Sequence, residues 1–536
     1  MRSATLYLFV MRRTVYVQAG PGTRLLFAMG IILTLFLALE GTARLIEAAF
    51  LRDSGTAAVP DNPGWQTSFF QSVFDWHEPD PDLLWRFRPN LQNRLIKTNS
   101  RGLIAGEIPY EKPDSTYRIM VVGDSSPVGL GLRDRGETFP EILKRRLTAD
   151  IRVGHRVEVI NASVSGYTSE QVRRFLERDG WDYRPDLLIV YCGNNDASIS
   201  GAYSDHELLG RAPLRGVRRI VSRLAVYRVL RSVIRGVLPK QSPKADSPEE
   251  LAVRVAQERF EENVRVIADQ SSTIGCRLIL IRPPVPMLWP AGLQFRSLRH
   301  VTGEDGRLLF PRRLHSLLGR SINYCLSDTL FARLYGHGDE FTRFVYASAS
   351  QDTLSPEQSL AYWLAQAGES KEPVAANNAG VVLWRIGKHG SADSAFVEAF
   401  ARYVELHGGS ITTPAVSAGG APFLYNRGIN SIDERDYASL THVDSSASAF
   451  RWLDSALQLD FFSLRIKRDY VAALRSVALQ RDVVLLDPSE LFRTNGGERL
   501  FVDHCHPTAE GHRLLADTLR DIVESLPGFP STSRGH

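Results

Sequence analysis

Short apolar runs alternate with amphipathic stretches through the middle and the carboxyl-terminal part of the chain. Tyr117–Val122, Val157–Ile160, Leu187–Tyr191, Arg277–Ile281 and Val483–Leu486 are brief, largely apolar runs, the pattern of strands buried on both faces of a parallel sheet. Thr138–Leu147, Ser169–Arg178, Phe260–Ser271 and Thr508–Ser525 instead repeat apolar residues at helical spacing. Pro140 lies early in the first turn of its helix, where proline is tolerated. Strands that alternate with helices predict an α/β fold: a five-stranded parallel sheet joined by right-handed crossovers.

Other stretches break this rhythm. Leu25–Leu39 is apolar without a charge and extends through Glu40 and Arg44 to Ile46, enough for one membrane span, since roughly 17 to 25 residues cross a bilayer. Arg2, Arg12, Arg13 and Arg24 precede it with no acidic residue, which predicts a cytoplasmic segment over 1–24, a signal anchor over 25–46 and everything later on the extracytoplasmic, periplasmic side. A cleaved signal peptide is the competing reading, because Gly41-Thr42-Ala43 offers small residues for cleavage. Residues 47–115 form an approach segment crowded with aromatics, among them Trp65, Phe69, Phe70, Phe74, Trp76, Trp85 and Phe87, which are expected to cover the flank of the next domain.

That domain is expected over 116–286 and 461–526, with a mainly helical insertion at 287–460 and a disordered tail at 527–536. Arg211–Lys240 holds no acidic residue; it reads as a flap with its arginines in water or as a positive surface for anionic lipid or an acidic polymer. Within the insertion, Gly380, Leu383, Ala392, Phe396 and Ala399 fall at the spacings of one tetratricopeptide-like hairpin near 373–404, a candidate surface for a protein partner. Gly408–Gly428 reads as a long loop, and Ala447–Gln480 as helical.

Composition changes this picture little. The 536 residues are 43% hydrophobic, and 64 basic against 60 acidic residues leave a net charge of only +4, so global charge does not indicate nucleic acid. Cys192, Cys276, Cys325 and Cys505 show no metal-ligand spacing. A disulfide between Cys192 and Cys505 is open, with buried free thiols the simpler state. No phosphate loop, zinc cluster or dinucleotide fingerprint occurs, so no cofactor or metal is implied.

The chemistry is expected at strand ends. The first strand stops at Gly123-Asp124-Ser125, and a serine at the carboxyl end of a parallel strand is a candidate nucleophile. The second strand runs into Asn161-Ala162-Ser163-Val164-Ser165-Gly166 and the third into Cys192-Gly193-Asn194-Asn195-Asp196. Before the last helix stands Asp503-His504-Cys505-His506-Pro507. An aspartate three residues before a histidine can hold the imidazole in the tautomer that takes a proton from a serine. The backbone amides of Ser125 and Gly166 and the side-chain amide of Asn195 are candidate oxyanion donors. Asp196 is expected to support the loop carrying Asn195, His504 to be a polar or solvated neighbour of the base, and His512 to ride on the closing helix.

These blocks resemble those of the SGNH or GDSL hydrolases. Gly123-Asp124-Ser125, Gly166 after Asn161, Gly193-Asn194-Asn195-Asp196 and Asp503-His504-Cys505-His506 occur in the family's order. The resemblance implies a flavodoxin-like three-layer α/β/α domain and an ester hydrolase in which Ser125 attacks and Asp503 orients His506, the better base. It extends loosely to membrane-anchored bacterial members with a tetratricopeptide-like insertion. An acyl-ester substrate on a polysaccharide or lipid is implied. Two alternatives stay open: an O-acyltransferase that passes the acyl group to an exported polysaccharide, and a non-catalytic scaffold that binds through the insertion.

Overall fold

The computed structural model describes residues 21–46, 76–93, 96–151, 153–201, 203–210, 224–227, 229, 252–288, 355–371, 373–411, 413–432, 448–461 and 464–530. They belong to two compact units, Met1–Ser54 with Gly216–Lys240, and Gly55–Arg215 with Gln241–His536. In the first unit, α1 (Pro21–Ile46) contains Leu25–Ile46, a stretch long and apolar enough to cross a membrane. Glu40 within it pairs with Arg44 at 3.1 Å and accepts the backbone N–H groups of Ala225 (2.9 Å) and Val226 (3.1 Å). A carboxylate in an apolar helix is costly unless it is paired in this way. Most of the arginine-rich stretch lies outside the described residues.

The second unit opens with a hairpin of β1 (His77–Asp80) and β2 (Leu84–Phe87). Its sheet contains β3 (Thr116–Gly123), β4 (Arg156–Asn161) and β5 (Leu187–Tyr191). A small antiparallel pair, β6 (Ile199–Gly201) and β7 (Ala252–Val253), follows, and β8 (Arg277–Ile281) and β9 (Val484–Leu486) complete the sheet. The five main strands are all parallel, in the order β4-β3-β5-β8-β9. That is the flavodoxin-like order, in which successive crossovers run both ways from β3 and open a crevice at its carboxyl end.

The strands are apolar on both faces because both faces are covered. In β3, Met120 and Val122 pack with Val172 of α4 (Ser169–Phe175), Val264 of α5 (Gln257–Thr273) and Leu474 of the helix Arg468–Arg481. Ile119 and Val121 face the other way, toward Leu143 of the helix Phe139–Ala149 and Leu515 and Leu519 of the helix Ala509–Ser525. The chain thus forms the expected three layers. In chain order, α2 (Ser125–Val128) and α3 (Phe139–Ala149) precede α4 and α5. Trp76 and Phe87 are buried against the Met120 and Val122 face, whereas Trp65, Phe69, Phe70 and Phe74 lie outside the described residues.

The described part of the insertion is a succession of helices, α6 (Pro356–Ser370), α7 (Pro373–Arg385), α8 (His389–Leu406), α9 (Pro414–Asn430) and α10 (Ser448–Leu459). Each packs on the next. Residues 289–354 lie outside the described residues. Most of the stretch expected to be a glycine-rich loop is helix α9. Thr413 caps it and Pro414 starts it, and its small residues serve close packing: a Cβ at Gly420 would stand 3.3 Å from the rings of Phe400 and Tyr403 on α8. The stretch Ala447–Gln480 is two helices, α10 and α11 (Arg468–Arg481), separated by the segment 460–467. Helix α12 (Ala509–Ser525) closes the fold. The chain stays packed beyond the expected end of the domain, because Phe529 is buried edge-on against Tyr117 at 5.1 Å and Arg277 donates to the Pro527 carbonyl at 3.0 Å.

Candidate active site

The site begins where β3 stops. A Cβ on Gly123 would stand 2.2 Å from the carbonyl oxygen of Tyr191 on β5, so only glycine allows the two strand ends to run this close. Asp124 caps α2 in extended conformation, with its carboxylate accepting the Ser126 N–H at 2.8 Å. Ser125 is the first residue of the helical turn, and first-turn N–H groups have no intrahelical acceptor. Burial pushes the Asp124 carboxyl up to about 6, against the pull of the Ser126 N–H and nearby His506.

The loop before α12 supplies the partners. It is folded on itself by Val502 N–H on the His506 carbonyl (2.8 Å) and Thr508 N–H on the Leu500 carbonyl (2.8 Å). Asp503 holds the turn, one carboxylate oxygen accepting the N–H groups of Cys505 (3.0 Å) and His506 (2.9 Å). Its other oxygen lies 2.7 Å from His506 Nδ1, and His506 Nε2 lies 2.7 Å from Ser125 Oγ. Ser126 Oγ donates to the Cys505 carbonyl at 3.3 Å, fastening the two loops together.

All three side chains are withdrawn from water, and their electrostatics are mutual. Burial opposes ionisation of Asp503, but the facing imidazoles of His506 and His504 and the turn's N–H groups hold it well below the usual carboxylate range. Burial also works against a charged His506, and the Asp503 carboxylate outweighs it, raising His506 above its ordinary value. An ionised Asp503 accepts only, so Nδ1 carries the proton and the Nε2 lone pair faces the serine.

The candidate oxyanion donors come from the neighbouring strand ends, β4 and β5 flanking β3. Asn161, at the end of β4, donates to the Pro127 carbonyl in α2 (2.9 Å) and accepts the Ser163 N–H (3.1 Å). Gly166 sits in the following turn at φ +79°, a left-handed conformation suited to glycine. Asn195, after β5, is buried and gives one amide N–H to the Tyr167 carbonyl at 3.0 Å. A side-chain amide has a second N–H to offer.

Several neighbours differ from expectation. Asp196 does not brace the Asn195 loop through its carboxylate: it reaches across to the start of α4 and accepts the Ser169 N–H at 2.9 Å, where helix-terminal donors need an acceptor. Burial pushes it up to about 7. His504 is fully buried rather than solvated, its Nε2 3.3 Å from Cys505 Sγ, and burial pushes it down to about 4. His512 is on α12 as expected and accepts the Phe139 N–H at 3.2 Å, locking α12 to α3. Cys192, Cys276 and Cys505 are buried free thiols, and Cys325 lies outside the described residues.

Ligand atoms of Asp503, Cys505 and His506 lie within 4.8 Å of one another, yet Asp503 and His506 already bond each other, and burial pushes the Cys505 thiol well above its ordinary value. Outside the motifs, Trp85, Tyr167, Arg254 and Ile466 reach the same strand ends. Sequence singled out only Trp85 among them, and only as an aromatic of the approach segment.

Residues 121–295 match the family model described as GDSL-like Lipase/Acylhydrolase family. Among solved structures, TesA is similar at 21% identity over 32% of this chain and 62% of that chain, with a TM-score of 0.19. The lipase/acylhydrolase from Enterococcus faecalis matches at 20% identity over 34% and 63% respectively, with a TM-score of 0.19. The acetyl xylan esterase AlAXEase matches at 9% identity over 76% and 99%, with a TM-score of 0.29. The chain thus spans less than two thirds of the length of TesA. No curated protein matches. Three of the four blocks lie inside the matched residues and Asp503–His506 lies outside them, so residues 121–295 carry a GDSL-like lipase/acylhydrolase domain of the SGNH/GDSL kind.

Proposed function

We propose that the protein is a serine ester hydrolase that works through an acyl-enzyme, held to a membrane by α1 with its α/β domain on the extracytoplasmic side. The arginines ahead of the apolar helix support that orientation. The observation that carries the chemical reading is the continuous relay from Asp503 to His506 to Ser125, with both contacts at 2.7 Å. Ser125 Oγ attacks the ester carbonyl carbon while its proton passes to His506 Nε2. The carbonyl oxygen becomes an oxyanion, met by the N–H groups of Ser125, Gly166 and Asn195. His506 then gives the proton to the departing alkoxide. Water, deprotonated by the same nitrogen, cleaves the acyl-serine, releases the carboxylic acid and restores Ser125.

An acyl ester of a polysaccharide or lipid is the substrate class proposed. The test is hydrolysis of an acetyl ester by the full chain in detergent, wild type against Ser125→Ala. Turnover that disappears in the variant with the fold intact supports the reading. Turnover that survives overturns it. Adding a sugar acceptor to the same assay separates hydrolysis from transfer, because a transferase would move the acyl group to the sugar in preference to water.

A further inference from the structure

The peptide joining Ser165 to Gly166 has two polar ends that point in opposite directions, as in any trans peptide. Its N–H belongs to Gly166. Its carbonyl oxygen, on Ser165, accepts the indole Nε1–H of Trp85 at 3.0 Å. A donor fixed on that oxygen therefore fixes the direction of the Gly166 N–H. It also draws electron density from the amide, which makes the N–H a better donor.

The indole is placed closely enough to impose this. A Cβ on Gly166 would stand 3.2 Å from Trp85 Cζ2, so the ring lies directly against the glycine. The Trp85 backbone is held in turn, because its carbonyl accepts the hydroxyl of buried Tyr167 at 2.8 Å. The Tyr167 carbonyl accepts the Asn195 side-chain amide at 3.0 Å. On the other side of the turn, the Gly166 carbonyl accepts a guanidinium N–H of Arg254 at 2.7 Å. Arg254 is itself held by Asp205 at 2.7 Å and Gln171 at 3.1 Å, and lies 5.4 Å from the Trp85 ring centre.

We propose that Trp85 is a positioning residue for the oxyanion donors, its indole N–H aiming the Gly166 N–H through Ser165 and its carbonyl anchoring Asn195 through Tyr167. The inference rests on the reading of Gly166 and Asn195 as oxyanion donors. Trp85 touches no reacting atom in this scheme. Its effect falls on the transition state, where charge develops on the oxygen, and little on the ground-state ester.

The test replaces Trp85 in the full chain in detergent with 3-benzothienylalanine, which keeps the bicyclic shape and exchanges only the indole N–H for sulfur. Trp85→Phe is measured beside it. Acetyl-ester kcat is expected to fall about tenfold, less than the loss for deleting a donor outright, with KM unchanged. The pH profile should not move, because Trp85 contacts neither His506 nor Asp503. Recovery of kcat when tryptophan is restored by the same suppression route completes the expected result. An unchanged kcat in the benzothienyl variant overturns the inference, and so does a rise in KM at constant kcat, which would make Trp85 a wall for the substrate. The Ser125→Ala control separates the two readings. If it retains turnover, the hydrolase reading itself fails; if it is inactive while the indole N–H proves dispensable, only the role of Trp85 fails.

Discussion

Exchanging Asp503 for asparagine tests the relay at the end farthest from the nucleophile. One Asp503 oxygen accepts two backbone N–H groups, from Cys505 and His506, and only an oxygen can stay there. The introduced amide nitrogen must therefore take the place of the oxygen that now lies 2.7 Å from His506 Nδ1. An N–H would then face Nδ1, so Nδ1 must become the acceptor and the proton moves to Nε2. Nε2 would donate to Ser125 Oγ instead of taking its proton, and general-base catalysis would stop.

The expected loss in kcat is about 10⁴, or about 5.4 kcal/mol of transition-state stabilisation, the size seen when a triad imidazole is held in the wrong tautomer. A second consequence is independent of the first. Asp503 raises His506 above its ordinary value, so removing its charge lowers the pH at which His506 takes up a proton. The acid limb of kcat/KM for the remaining activity should move to lower pH. The assay is acetyl-ester hydrolysis across pH, with circular dichroism to confirm the fold. A folded variant within tenfold of wild type at pH 7 would refute the reasoning, and Asp503 would then be only the anchor of the 503–506 turn.

Three further substitutions probe the frame around the site. Gly193 has φ +124°, and a Cβ there would stand 2.6 Å from Ile466 Cδ1, so Gly193→Ala should cost about 1–3 kcal/mol in urea denaturation and lower kcat by displacing Asn195; wild-type values for both would contradict this. Burial opposes ionisation of Glu170, but Arg259, Arg174 and Arg173 outweigh it and hold the carboxyl at about 2 against 4.5 unperturbed. A depressed carboxyl stabilises above its unfolded value and loses that contribution as pH falls, here about 3 kcal/mol between pH 4.5 and 2, so Glu170→Gln should flatten stability over that window, and an unaltered acid slope would sink the assignment. Arg465 is buried, donating to the Pro286 carbonyl (3.0 Å) and to Asp460 (3.2 Å). Arg465→Met should cost about 3–5 kcal/mol by removing one member of a buried ion pair, and a thermal shift worth less than about 1 kcal/mol would be inconsistent with that.

The sheet and the four chemical blocks were legible because each is written locally. Gly123 ends β3 where no Cβ fits, Asp124 caps the turn it precedes, and Asp503 closes a turn onto its own neighbours, so these residues announce themselves within a few positions. Helix α9 was not legible, because its glycines read as breakers until Phe400 and Tyr403 of α8 are seen packed against them. The role of Asp196 was misread for a similar reason: the acceptor it provides is needed by α4, a helix that begins 27 residues earlier. The braces around the donors are more distant still. Trp85 reaches Ser165 across 80 residues, and the Ile466 N–H reaches Asn194 across 272, from the segment that returns the chain from the insertion. On the proposed mechanism, reactivity is set by short turns, and aim by segments that meet only when the chain has folded. The aromatic hairpin ahead of the sheet and the return from the helical insertion both end on the same strand termini. Changes in either can therefore alter turnover while every motif residue stays in place.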